Sequence, residues 1–231
     1  MTYQWVYCDR ASVARRYDKL ANYIKLCEWL LCVPKSLRRK AAEALHVNEG
    51  DRVLEIGCGT GLNLPFLREV VGAQGHVYGV DISEGMLEKA GDLRARSRWN
   101  NVTLVNSDAL AFHAPEPLDA VLFGLSYNTM PHHRAVLAHA LTQLRPGGRV
   151  VIMDAKAPDG ALGQMVLPFG AWLMKHTLLG NPYIRPWEHM AEAADDVETQ
   201  DFLFGSYYIC GGVKPETVAP WVEMPQLVAA E

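Results

Sequence analysis

The residues with the clearest chemical meaning form a glycine-rich stretch, Gly57-Cys58-Gly59-Thr60-Gly61, directly after the apolar run Val53-Leu54-Glu55-Ile56. Glycines at this spacing let a backbone turn sharply and approach a bound molecule closely, with positive φ where needed. A helix opening near Leu62 adds exposed N–H groups at its first turn. Two carboxylates stand at matching places further on. Asp81 closes a second apolar run, 20 residues after Gly61, and Asp108 closes a third. A carboxylate at the first place can accept two hydrogen bonds from a ribose diol. The second faces the same crevice, within reach of a base amino group. The dinucleotide fingerprint G-x-G-x-x-G requires glycine where this chain has Leu62, which argues against hydride transfer from a nicotinamide. Glu55, two residues before the first glycine, is an acid that such a loop does not require.

Positioning these residues takes a set of alternating elements. Strand-like runs occur at 51–56, 75–82, 101–106, 118–125 and 149–154, with helix-length segments at about 61–72, 83–97 and 131–145 between them. Strands separated by helices predict βαβ units and a doubly wound, mostly parallel sheet with helices on both faces. Pro146-Gly147-Gly148 predicts a turn that stops one helix before the fifth strand. Residues 196–214 read as two further strands around Gly205, giving seven. The expected architecture is therefore a single Rossmann-like domain. It has N-terminal helices over 1–46 broken near Pro34, a core over 50–155, a helical insertion over 156–195, the last two strands over 196–214 and a tail over 215–231.

The ordered set VLEIGCGTG, YGVDIS, NSDAL, LDAVLF and LRPGGRVVI resembles the class I S-adenosylmethionine-dependent methyltransferases over residues 50–155. The resemblance implies S-adenosylmethionine as cofactor, its demethylated form S-adenosylhomocysteine as product, and no metal. It places Gly57, Gly59 and Gly61 along the cofactor's amino-acid moiety, with Glu55 orienting the loop and Cys58 filling space within it. Asp81 would bind the ribose hydroxyls and Ile82 would pack on the adenine. Asp108 and Ala109 would hold the adenine edge, Phe123 and Gly124 would lie beneath the sulfonium, and Met86 joins the cofactor-binding set. Methyl transfer from a sulfonium is an in-line displacement that needs alignment and exclusion of water more than a covalent nucleophile. A base is needed only where the acceptor must lose a proton.

The acceptor site is expected from the parts outside the core. Its candidates are Tyr17, Tyr23, Tyr127, Asn128, Arg185 and His189, with Tyr127, His132 and His133 as candidate catalytic groups. Asp154 reads as a cap at the end of the fifth strand. The aromatic- and proline-rich segment 180–188 reads as a lid or an ordered loop. The Tyr17-Asp18 helix start and the core motifs also look similar to bacterial phospholipid N-methyltransferases and quinone-biosynthesis C-methyltransferases. The acceptor is thus expected to be a small molecule or a lipid headgroup, with nitrogen placed ahead of a quinone-precursor carbon or a thiol sulfur.

Composition narrows the classes. The chain has 231 residues, 49% hydrophobic and 21% charged, with a net charge of −4. That is an ordinary globular composition, and with no basic, aromatic-interleaved stripe it excludes a general nucleic-acid partner. The first 50 residues carry nine Lys/Arg against five Asp/Glu, whereas residues 186–231 carry one Lys against nine Asp/Glu. Arg15, Arg16, Lys19 and Lys25, with Trp29 and Leu30, make residues 11–33 a candidate membrane-surface helix or an active-site cap. Five cysteines without metal spacing, and a first ten residues lacking an apolar stretch, lead to the expectation of a cytoplasmic protein with reduced thiols, peripheral at a membrane if at all.

Overall fold

In the computed structural model, residues 10–23, 33–156, 181 and 184–216 are described. The central feature is a seven-stranded sheet in the order β3-β2-β1-β4-β5-β7-β6. Its strands are β1 (Arg52–Ile56), β2 (His76–Asp81), β3 (Val102–Asn106), β4 (Leu118–Gly124), β5 (Leu144–Ala155), β6 (Asp195–Phe202) and β7 (Tyr207–Val213). The first five run parallel, and β7 pairs antiparallel with β5 and with the edge strand β6.

The central strands β1, β4, β5 and β7 are buried on both faces because they are largely apolar, whereas the edge strand β6 is polar and mostly exposed. Leu54, Ile56, Val121 and Phe123 pack on one face with the helices α5 (His133–Gln143) and α6 (Pro186–Ala193). Val53, Ala120 and Leu122, one residue out of phase, pack on the other with α2 (Lys35–Glu43), α3 (Leu64–Val71) and Ala90 of α4 (Glu84–Arg96). That alternation is the period of two of a β-strand. α1 (Arg10–Leu20) lies against α4 at the outer rim.

Several boundaries have local causes. Ser83 caps α4 by accepting the Met86 N–H. Pro65 sits in the first turn of α3, where its missing N–H costs nothing. Pro34 stands at the N-cap of α2, so the expected break falls there. The Pro146-Gly147-Gly148 turn is a looped irregularity inside β5: Leu144 already pairs with Leu118, and regular pairing resumes at Ala120–Arg149. Of the expected helical insertion, α6 is the described part; residues 157–180 and 182–183, like Lys25, Trp29 and Leu30, lie outside the described residues.

Candidate active site

Reversal of strand order between β1 and β4 opens a crevice at the C-terminal ends of the strands, where open α/β sheets bind ligands. The glycine loop fills the floor of this crevice. Gly57, Gly59 and Gly61 all have positive φ, at 72°, 54° and 79°. Gly57 has a second constraint: a Cβ there would meet the Ser126 Cβ at 2.5 Å. Ser126 comes that close because Leu125, at φ 61°, turns the chain sharply after β4, and its hydroxyl then donates to the Ile56 carbonyl at 2.6 Å. Gly59 differs, since nothing lies within 4 Å of where its Cβ would be. Its face is open to the crevice.

Beneath the loop runs a buried polar chain. Arg38 of α2 donates to Asn63 Oδ1 at 2.5 Å, and Asn63 Nδ2 donates to Glu55 Oε1 at 2.5 Å. All three side chains are buried. Gly124 makes room for the chain, because a Cβ there would fall 2.1 Å from Asn63 Nδ2. Burial pushes the Glu55 carboxyl up to about 8, against the lowering effect of Asn63 and Arg38. Its second oxygen, Oε2, is buried with no protein partner, as is the Thr60 hydroxyl. A buried carboxylate oxygen without a donor is costly unless a ligand supplies one.

Asp81 sits on the far lip. One of its oxygens accepts the Gly59 N–H at 2.8 Å and the other accepts the Ser83 N–H at 2.9 Å. Burial raises its carboxyl, opposed by these amides. Each oxygen keeps a further lone pair for a hydroxyl donor. Asp108 lies two residues past the end of β3, not at its last position, and its Oδ1 accepts the Leu110 N–H at 2.8 Å. Ile82 and Ala109 are half-buried beside these acids. Met86, in the first turn of α4, and Phe123, near the end of β4, are both fully buried, Phe123 within the core. The Cys58 sulfur packs toward Gly79, in keeping with a space-filling role.

These groups fit S-adenosylmethionine. The open Gly59 face and the orphaned Glu55 Oε2 suit its amino-acid end, with Oε2 as acceptor for an ammonium. Asp81 suits its ribose, and Asp108 with Ile82 and Ala109 suits its adenine. Among the described residues no group of His, Cys, Asp and Glu could hold a metal ion.

The acceptor-side candidates divide. Tyr17 reaches the crevice: its hydroxyl bonds the Thr129 side chain and lies in the field of Asp81 and Asp154, and burial raises it, so it stays a neutral donor. Tyr127 does not face an acceptor. It is fully buried, with its ring edge-on to Phe123 at 5.3 Å and its hydroxyl 3.1 Å from His189 Nδ1. His133 stacks on His189 at 5.2 Å. Burial and His133 hold His189 down to about 4, so a neutral ring shares the hydrogen bond with the phenol. Burial also lowers His133. This cluster ties α6 to the loop after β4. Asn128 is buried, bonded through its N–H to Asp154 and through its amide to the Ala155 carbonyl. Asp154 thus anchors that loop, and burial raises its carboxyl to about 7. His132 is an exposed N-cap residue without a side-chain cap bond, Tyr23 is exposed, and Arg185 pairs on the surface with Glu188.

Arg38 and Asn63 are buried polar groups at the site that residue type alone did not single out, and Asp18 of the Tyr17-Asp18 helix start joins them. Asp18 Oδ1 accepts both the Ser83 hydroxyl at 2.6 Å and the Gly85 N–H at 3.0 Å. Adjacent residues of α1 therefore grip both lips of the crevice, Tyr17 beyond β4 and Asp18 beyond β2.

Comparison with known proteins agrees with this geometry. Residues 53–148 match the family described as Methyltransferase domain. The chain is similar to a demethylmenaquinone methyltransferase of Shouchella clausii, 30% identical over 148 residues, or 64% of this chain and 61% of that one. A Geobacillus protein of the same name is 26% identical over 210 residues, 89% of this chain and 87% of that one. The chain spans about three-fifths of the length of most of the curated relatives it matches. Among solved structures it is similar to phosphoethanolamine N-methyltransferase 2 of Haemonchus contortus, with a TM-score of 0.72, 17% identity, and coverage of 90% of this chain and 61% of that one. It is also similar to a Haloferax volcanii methyltransferase solved with the Trm112 methyltransferase activator, with a TM-score of 0.71, 19% identity, and coverage of 90% and 100%.

Proposed function

We propose that this chain, a class I methyltransferase by fold and by the methyltransferase-domain family to which its residues 53–148 belong, moves the methyl group of S-adenosylmethionine onto a demethylmenaquinone-type acceptor. The observation that carries methyl transfer is the pairing of an open Gly59 face with the buried, donorless Glu55 Oε2, at the switch point and beside Asp81. Support for the acceptor comes from the relatives, which share the name demethylmenaquinone methyltransferase. That name favours the quinone-precursor carbon over the nitrogen that the sequence reading placed first.

When bound, S-adenosylmethionine supplies the activated methyl group. The chain's residues bind and orient. Glu55 receives the ammonium end, Asp81 the ribose, and the packed loop Ser126–Thr129 forms the wall opposite Asp81. Tyr17 spans cofactor and acceptor sides as a neutral phenol held by Thr129. The N-terminal helix and the loop after β4 exclude water from the region between them.

The test is direct. The purified chain is incubated with labelled S-adenosylmethionine and a short-tailed demethylmenaquinol, and in parallel with ethanolamine headgroups and small thiols. Label in the quinol with a ring-methylated product is the expected result. Cofactor binding with label only in an amine or thiol would overturn the acceptor, and no cofactor binding would overturn the whole reading.

A further inference from the structure

The hairpin between β6 and β7 carries an apolar tip at the site edge of the sheet. Because β7 runs antiparallel to β5, its first residue, Tyr207, pairs with Ala155 at the C-terminal end of β5. The loop Leu203-Phe204-Gly205-Ser206 therefore projects from the same edge as the crevice. Phe204 is 96% exposed and Leu203 is 41% exposed. Both have left-handed backbones, with φ of 56° and 48°, where asparagine or glycine is the favourable choice. The sequence therefore holds two large apolar side chains outward at positions that disfavour them on two counts.

Two lysines lie at the base of the tip. Lys40 of α2 lies over the Phe202 ring, 5.2 Å from its centre. Lys156 donates a backbone bond to the Ser206 carbonyl at 3.0 Å, and its ammonium pairs with Asp201. α2 runs from the site edge, where Arg38 meets Asn63, to the opposite edge, where the Ala44 carbonyl accepts from Arg149. Its exposed first residue, Lys35, therefore stands on the same edge as the tip. Among the described residues no helix is long and apolar enough to cross a membrane. An exposed aromatic at a hairpin tip with cations set back from it matches an interfacial anchor for anionic lipid.

We propose that Leu203 and Phe204 insert into an anionic lipid surface, with Lys35 and Lys40 meeting its headgroups, so that the crevice faces the membrane. The proposal concerns binding and does not depend on which acceptor is methylated.

Vesicle flotation tests it with the full chain, using vesicles of phosphatidylcholine with phosphatidylglycerol and vesicles of phosphatidylcholine alone. Wild type should float with the mixed vesicles and less with the neutral ones. Phe204→Asn suits the left-handed backbone and keeps the fold, and it should lower the bound fraction by about tenfold. Lys35→Glu should weaken binding to the mixed vesicles only. Amide hydrogen exchange of wild type should slow at 203–206 when mixed vesicles are added, a readout that needs no variant. Equal flotation of wild type and Phe204→Asn, or unchanged exchange at the tip, would overturn the proposal. So would a lipid-independent doubling of mass that Phe204→Asn abolishes, which would assign the tip to a second copy of the chain.

Discussion

Replacing Arg38 by methionine isolates the part of the site that works through a relay. The change keeps most of the side-chain volume and removes the guanidinium. Two consequences follow from the buried chain Arg38–Asn63–Glu55. Asn63 Oδ1 loses its donor in a buried place, which costs about 1–3 kcal/mol of stability. For a domain of this size that is a Tm drop of about 2–10 °C. Glu55 loses the positive charge that opposes its burial. Two charges separated by one amide interact by about 2 kcal/mol at an effective dielectric near 20, equivalent to between one and two pH units. The Glu55 carboxyl, already raised to about 8, therefore moves higher. An ammonium ligand requires the ionised form, so cofactor binding displaces the Glu55 proton below that value. The affinity of wild type for S-adenosylmethionine should rise with pH up to about 8. In Arg38→Met the rising limb should shift upward by at least one unit, with about tenfold weaker binding at pH 7. Calorimetry across pH in two buffers of different ionisation enthalpy reads both affinity and proton release. An unshifted pH profile, with affinity lost equally at every pH, would refute the relay and leave Arg38 a packing residue.

Further predictions follow from the same geometry. Gly59→Ala should fold, since no atom lies within 4 Å of the new Cβ, at the cost of about 1–2 kcal/mol for a left-handed alanine, yet bind cofactor at least tenfold more weakly; Gly57→Ala should lose more stability, through the same strain and contact with Ser126, and thermal melts separate the two. Asp81→Ala should lose about 1.5–3 kcal/mol per hydroxyl bond in calorimetry with S-adenosylhomocysteine, and unchanged affinity would remove the ribose assignment. His189 has its folded-state value depressed, so the unfolded chain takes up more protons between about pH 6.5 and pH 4; stability should fall as pH drops through that window, and His189→Gln should flatten this part of the melting profile. Asp18→Ala should speed cofactor release in stopped-flow while leaving the Tm of the sheet core within a few degrees.

The sheet was legible because its signals are periodic. β1, β2 and β4 are apolar runs bounded by glycine and aspartate, and all seven expected strands occur. The glycine loop and its two acids were legible because backbone geometry restricts which residues can stand there. Side-chain direction was not. Tyr127 follows β4 directly, a position that suggested the acceptor side, but the left-handed turn at Leu125 sends its ring into the core against Phe123. Arg38 lies in a run of basic residues on α2, and residue type does not distinguish the buried one from its exposed neighbours Arg39 and Lys40. Asp18 had to wait for its partners, because the Ser83 cap lies 65 residues away.

The double grip of α1 has a kinetic meaning. With Tyr17 held beyond β4 and Asp18 beyond β2, the helix crosses the mouth through which a nucleoside-sized ligand must pass. If entry and exit require the helix to lift, the free energy of lifting is included in every measured rate of exchange. If only a fraction of molecules is open at a given moment, association slows by that fraction, and so does release once the helix has closed. Product departure rather than methyl transfer would then set the turnover number, and a chain lacking residues 1–23 would exchange cofactor faster while holding it less tightly.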